Sequence, residues 1–388
     1  MTTTVDPADL EVVRDRLTRV PGELTPHRVA EALRSSGRPV GDATVLAVYE
    51  TLRRDVLGAG PLEPLLRTPH VTDVLVNGAD RVYLDRGSGL ERTDVRFPDE
   101  AAVRRLAQRL AAQGGRRLDD AAPYVDLRLA DGTRFHAVLA PLSRPGTAIS
   151  LRVPRSRTFT VEELVRAGTL SDPTARLVEA VVRARLAFLV SGGTGSGKTT
   201  LLAALLSQAP AAERIVLVED AGELRPDHPH VVALEGRPPN IEGAGAVDVR
   251  TLVRQALRMR PDRLVVGEVR GGEVVDLLAA LNTGHEGGCG TLHANSALDV
   301  PARVEALALA AGLGRAAAHS QLASAVDVVL HLARGRDGVR RLRQVAVPHR
   351  RPDGLVEMVP AVDVDASGAP VAGPGADALA ERLERADR

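Results

Sequence analysis

Ser191-Gly192-Gly193-Thr194-Gly195-Ser196-Gly197-Lys198-Thr199-Thr200 is the stretch from which the rest of the chain can be read. From Gly192 to Thr199 it fits the phosphate-binding pattern G-x-x-x-x-G-K-[ST]. The apolar run Leu186-Ala187-Phe188-Leu189-Val190 before it reads as a buried strand, and Leu201 to Leu206 after it reads as a helix. Strand, glycine loop and helix form the context in which this motif binds phosphate. The glycines let successive backbone N–H groups form an anion nest, and the helix N-terminus adds partial positive charge. Lys198 can then reach β- and γ-phosphates, and the Thr199 hydroxyl can hold Mg²⁺. Gly192, Gly193, Thr194, Gly195, Ser196, Gly197, Lys198, Thr199 and Thr200 are therefore the expected nucleotide-binding residues.

Lysine and arginine together number 50, yet Lys198 is the only lysine. A phosphate cradle needs a compact ammonium on a flexible stem, which the wide planar guanidinium cannot imitate. The one place where the chain keeps lysine is thus the place where arginine would fail.

The 388 residues suffice for two or three domains, and 50 basic residues balance 50 acidic ones. No global field draws the chain to nucleic acid or anionic lipid. A single cysteine, Cys289, excludes an intramolecular disulfide and points to a reducing compartment. No apolar run approaches the roughly 20 residues that span a bilayer, and the N-terminus lacks a signal-peptide layout, so a cytoplasmic location is expected. Aromatic residues are 2% of the chain, which leaves few rings for stacking bases.

The expected fold class is α/β, a nucleotide-binding domain preceded by a small α+β domain and an N-terminal helical segment. Residues 1–57 read as helices, with Leu10, Val13 and Leu17 at helical spacing and later segments at Val29 to Leu33 and Ala43 to Leu57. They fit either an independent bundle or a cap on the neighbouring domain. Residues 58–153 alternate short strands with turns such as Asn77-Gly78 and Asp131-Gly132, around a helix capped by Asp99. Residues 154–160 read as a linker. Residues 161–352 alternate apolar strands with helices, the pattern of a sheet covered on both faces. The Pro-, Gly- and Ala-rich stretch 353–388 reads as a mobile tail, with a short helix from Asp377 to Arg385.

Three later stretches bear on hydrolysis. Val218-Glu219-Asp220-Ala221-Gly222-Glu223-Leu224 puts carboxylates at a strand end, where they can orient water or hold Mg²⁺ or simply face solvent. The strand Arg263-Leu264-Val265-Val266 leads into Gly267-Glu268-Val269-Arg270, an apolar strand ending in an acid that in many ATPases serves the metal or the attacking water. In the third, His285 and His293 flank the glycine-rich Glu286 to Leu292. Their spacing matches no common zinc site, and Cys289 reads as a packing residue, so a sensor loop at the γ-phosphate is the better reading.

The loop, the Glu219-Asp220 strand end, the Gly267-Glu268 strand and the double-histidine stretch resemble, in this order, the Walker A, Asp box, Walker B and His box of the type II and type IV secretion ATPases. The segments Arg237 to Gly243, Leu257 to Arg270, Gly58 to Leu65 and Val76-Asn77-Gly78 are most similar to the tight-adherence (Flp) pilus branch, the CpaF-like ATPases. The likeness spans about residues 45 to 350 and departs at Gly287-Gly288-Cys289-Gly290, where the family usually carries small polar residues. It implies a RecA-like P-loop ATPase working as a homo-hexamer with ATP and Mg²⁺. Such a motor is peripheral to the inner face of the membrane, held there by platform proteins; the lack of a basic stripe and the scarce aromatics argue against a nucleic-acid partner. Arg134 and Arg152 would reach the phosphates from the smaller domain, with Arg270 a further candidate. Glu219 and Glu268 would share water activation and Mg²⁺ binding with Thr199, and His285 and His293 would report on the γ-phosphate. The alternatives are a conjugation-type DNA-transfer ATPase and a non-hydrolysing nucleotide sensor.

Overall fold

The computed structural model describes residues 13, 25–35, 41–56, 58–87, 89–153, 158–237, 239, 243–284, 286–335, 337–365 and 368–386. The chain divides into two compact units, Met1–Arg155 and Ser156–Arg388.

Among the described residues the first unit holds α1 (Pro26–Arg34) and α2 (Asp42–Val56). Thr25 caps α1 by accepting from the Arg28 N–H, and Val29, Leu33, Val45, Val48 and Leu52 form a small core between the two helices. The helix expected around Leu10 to Leu17 lies, apart from Val13, outside the described residues. After the single turn α3 (Glu63–Leu66) come β1 (Asp73–Asn77), β2 (Val82–Asp85), β3 (Leu90–Arg92), α4 (Glu100–Gln113), β4 (Tyr124–Arg128), β5 (Arg134–Val138) and β6 (Ala148–Arg152). The strands form one antiparallel sheet in the order β3-β2-β1-β6-β5-β4. Asp99 caps α4, accepting from Ala102 N–H at 2.7 Å. The apolar stripe Val103, Leu106, Ala107 and Leu110 then packs with Val74, Val76, Phe135 and Leu151 of the strands.

The second unit holds α5 (Val161–Arg166), α6 (Asp172–Arg183), β7 (Phe188–Gly192), α7 (Lys198–Leu206), β8 (Ile215–Glu219), β9 (Val231–Glu235), α8 (Val249–Ala256) and β10 (Arg263–Val269). It continues through α9 (Glu273–Leu281), β11 (Cys289–Leu292), α10 (Val300–Ala310), α11 (Arg315–Ala325), β12 (Val328–Arg334), β13 (Arg340–Arg350), β14 (Val356–Val364), β15 (Pro370–Ala372) and α12 (Ala376–Ala386). Six strands in the order β12-β7-β11-β10-β8-β9 run parallel, and β13, β14 and β15 extend the sheet antiparallel beyond β12. Phe188 and Val190 of β7 face one apolar core with α6 and α7, while Leu189 faces the other with α8 to α11. Burial on both faces explains why these strands read as unbroken apolar runs. β7 lies between β11 and β12, so its C-terminal end opens where the chain leaves in both directions, the place where open α/β sheets take ligands.

The stretch from residue 353 is not a tail. Val356, Met358 and Ala361 of β14 are buried, and α12 places Leu379 in the core of the second unit. Its glycines and prolines mark tight connections: the Gly375 N–H donates to Pro360 O at 2.8 Å, folding α12 back onto β14. Composition read as disorder was turn chemistry between short elements.

Candidate active site at the phosphate loop

The loop closes tightly on the neighbouring strand. A Cβ on Gly192 would stand 2.3 Å from Leu332 O of β12 and 2.6 Å from Ser196 Oγ, so only glycine fits. Gly197 caps α7 at φ +99°, a left-handed conformation that glycine adopts without strain. Ser196 is 2% exposed, and its Oγ has no hydrogen-bond partner among the described residues. An unsatisfied buried hydroxyl inside an anion nest fits a phosphate oxygen as its partner.

Lys198 is 7% exposed and donates to Gly192 O and Gly193 O, both at 3.0 Å. Burial pushes its ammonium below the ordinary lysine value, and the Glu268 charge pushes back. Its Nζ lies 3.5 Å from His293 Nδ1, and His293 Nε2 lies 2.7 Å from Glu268 Oε1. The tautomer that accepts at Nδ1 and donates from Nε2 satisfies both contacts. Glu268 Oε2 accepts from Arg270 Nη2 at 2.5 Å, and Arg270 Nε lies 3.5 Å from Asp220 Oδ2. Glu273 fixes the start of that turn by accepting from the Arg270 and Gly271 N–H groups at 2.7 Å. A continuous polar line therefore runs from Asp220 through Arg270, Glu268 and His293 to Lys198. Four stretches far apart in sequence meet along it.

Glu219 takes a different part. It is 5% exposed, and it accepts from the Glu223 N–H at 3.2 Å and the Leu224 N–H at 3.1 Å. Burial raises its carboxyl from 4.5 to about 7, with those two N–H groups pulling the other way. Its bonds hold the turn after β8, leaving Asp220 to meet Arg270.

His285 lies outside the described residues. Gly287 and Gly288, just after it, sit at the start of β11: Gly288 O accepts from Phe188 N–H at 3.2 Å, and Gly287 O faces Arg263 at the start of β10. His293 follows the other end of β11, where Leu292 pairs with Ser191. Cys289 is fully buried, and burial pushes its thiol up to about 12, so it stays a neutral packing residue.

Arg134 and Arg152 belong to the first unit, where they are direct cross-strand partners. Arg152 Nε pairs with Asp73 Oδ1 at 3.1 Å, and Arg134 Nη2 lies 4.0 Å from Asp126 Oδ2.

Sequence reading passed over His331. It is 7% exposed in β12, and its Nδ1 lies 2.9 Å from Ser191 Oγ, the residue before the loop. Burial holds its ring below the ordinary histidine value. Its contact with Ser191 ties β12 to the start of the loop. The one available signal was a lone polar residue in the apolar run Val328-Val329-Leu330-His331-Leu332.

The sequence model of the type II/IV secretion system proteins matches residues 55–357. The chain belongs to that family. It is 59% identical over 326 residues to a Mycobacterium tuberculosis (strain H37Rv) protein named for conjugal transfer, covering 82% of this chain and 92% of the relative. To the conjugal transfer protein TrbB of Rhizobium radiobacter it is 31% identical over 282 residues, 71% of this chain and 83% of the relative. Among solved structures, the pilus retraction motor PilT with bound ADP aligns with a TM-score of 0.52 at 22% identity, over 73% of this chain and 81% of PilT. That likeness supports the fold, a RecA-like arrangement in the second unit.

Proposed function

We propose that this member of the secretion family is an ATP-hydrolysing motor that works as a homo-hexamer on the cytoplasmic face of a membrane. It drives assembly of a Flp-type pilus or related protein export through membrane platform proteins. The observation that carries the reading is the line Asp220–Arg270–Glu268–His293–Lys198, which ends in the phosphate loop. In this reading the loop N–H groups and Lys198 hold the β- and γ-phosphates. Thr199 and Glu268 would hold Mg²⁺, which supplies charge neutralisation and takes its remaining ligands from phosphate and water. Glu268 orients the attacking water, and His293 links that acid to Lys198, so γ-phosphate loss is felt along the line. Glu219 holds the turn that presents Asp220. In this reading Arg134 and Arg152 supply guanidinium charge to the bound phosphates during turnover.

A second reading, transfer of DNA in conjugation, draws support from the names of the two relatives. Balanced charge and scarce aromatics favour protein export. ATP turnover by the full chain, measured with and without DNA, tests both. Lys198→Ala is expected to abolish turnover while leaving the circular-dichroism spectrum intact. Undiminished hydrolysis in that variant would refute the motor, and DNA-stimulated turnover with salt-dependent binding would replace export by DNA transfer.

A further inference from the structure

Arg340 opens β13 just after the turn from β12, opposite Arg334 in the hairpin register. Its stem lies on the phosphate loop: Arg340 Cδ is 3.3 Å from where a Cβ on Gly197 would sit. Gly197 is the N-cap of α7, next to Lys198. The neighbouring arginines of the hairpin are committed elsewhere. Arg334 Nε donates to Gly338 O at 3.0 Å, and Arg341 Nη2 pairs with Asp337 at 2.7 Å. Arg340 is half-buried and has no ion pair or side-chain hydrogen bond among the described residues.

An unpaired guanidinium at that position is electrostatically misplaced in the free protein. It shares the positive end of α7 with the only lysine, and a cation at a helix N-terminus is unfavourable. Burying part of a charge without a partner adds to that cost. Both penalties vanish when an anion enters the loop. The unsatisfied Ser196 Oγ inside the same loop is an independent sign of a missing acceptor.

We propose that Arg340 is a phosphate-binding residue, supplied by the β12–β13 hairpin of the same chain, that contacts the phosphate chain of a bound nucleoside di- or triphosphate. The proposal rests on the reading of the loop as a nucleotide site. It makes the hairpin part of the binding machinery: β12 contributes the Leu332 carbonyl that shapes Gly192, and β13 contributes the charge at the other end of the loop.

The test is isothermal titration of the full chain with MgADP at low and high salt, on wild type, Arg340→Met and Arg340→Lys. Methionine keeps the apolar stem over Gly197 and removes the charge; lysine keeps the charge. Arg340→Met is expected to raise Kd about tenfold or more, the loss of one charge-assisted contact, and to flatten the salt dependence, with an unchanged melting temperature. Arg340→Lys is expected to recover most of both. An unchanged Kd in Arg340→Met overturns the proposal, as does a weaker Kd with an unaltered salt slope, which would mark packing on Gly197 instead. Failure of wild type to bind MgADP would instead overturn the nucleotide-site reading, and the proposal with it.

Discussion

Glu219→Gln distinguishes a carboxylate that holds a turn from one that activates water. The side chain is 5% exposed, and burial lifts its carboxyl from the ordinary 4.5 to about 7. Each pKa unit is worth about 1.4 kcal/mol, so the gap of about 2.5 units corresponds to about 3 kcal/mol. The sign follows from proton binding. Between the unfolded value of 4.5 and the folded value of about 7, the native state holds this proton more tightly than the unfolded chain. The contribution is fully present below 4.5 and is lost as pH rises through about 7. Glutamine keeps an acceptor for the Glu223 and Leu224 N–H groups and has no charge to bury. Urea unfolding of the second unit, followed from about pH 4.5 to about pH 8.5, is expected to show wild type losing about 2 to 3 kcal/mol more than Glu219→Gln over that range. At alkaline pH the variant should hydrolyse ATP within a few-fold of wild type. Parallel stability curves, together with turnover reduced by orders of magnitude, would refute the turn-holding role and make Glu219 the base.

Glu268→Gln removes the charge that Arg270 and His293 share, and turnover is expected to fall about a hundredfold or more in a steady-state phosphate-release assay while MgATP still binds. Gly192→Ala forces a Cβ to 2.3 Å from a β12 carbonyl that cannot move without its strand, so thermal melting should reveal a loss of about 2 to 4 kcal/mol and calorimetry a loss of nucleotide binding. His331, held below its ordinary 6.5 by burial, contributes stability that is present above that value and lost as pH falls through its folded value, the opposite sign to Glu219. His331→Gln should therefore flatten the acid limb of the wild-type stability profile, measured by urea unfolding at graded pH.

The fold around Gly192 to Thr199 was legible because its signals are local: an apolar run, turn glycines and a second apolar run come one directly after another. What the sequence hid is lateral. Nothing in Val328 to Leu332 says that this strand pairs with β7, yet that pairing sets Leu332 O against Gly192 and His331 against Ser191. The same pairing brings β13, and with it Arg340, to the far end of the loop. Glu219 shows a second limit. A strand-end acid beside a nucleotide loop looks catalytic, and only the turn after it reveals two N–H groups that claim its oxygens.

The two histidines of the third stretch make the limit plainest. In sequence His285 and His293 flank the glycines symmetrically, which suggests one site. Between them runs β11, Cys289–Leu292, parallel to β7. A four-residue strand at about 3.3 Å per residue carries the chain about 13 Å, from one end of the neighbouring strands toward the other. The start of that strand is pinned at the base of the sheet, where Arg263 is fully buried, pairs with Glu213 at 2.5 Å and faces Gly287 O. Its end delivers His293 to Lys198 and Glu268. The described residues that flank β11 are thus held apart: Gly287 stays by Arg263, while His293 lies by Lys198. We propose that nucleotide sensing runs through His293, and His293→Ala is expected to uncouple Glu268 from Lys198 and lower ATP turnover in a phosphate-release assay. Undiminished turnover in His293→Ala would defeat that proposal.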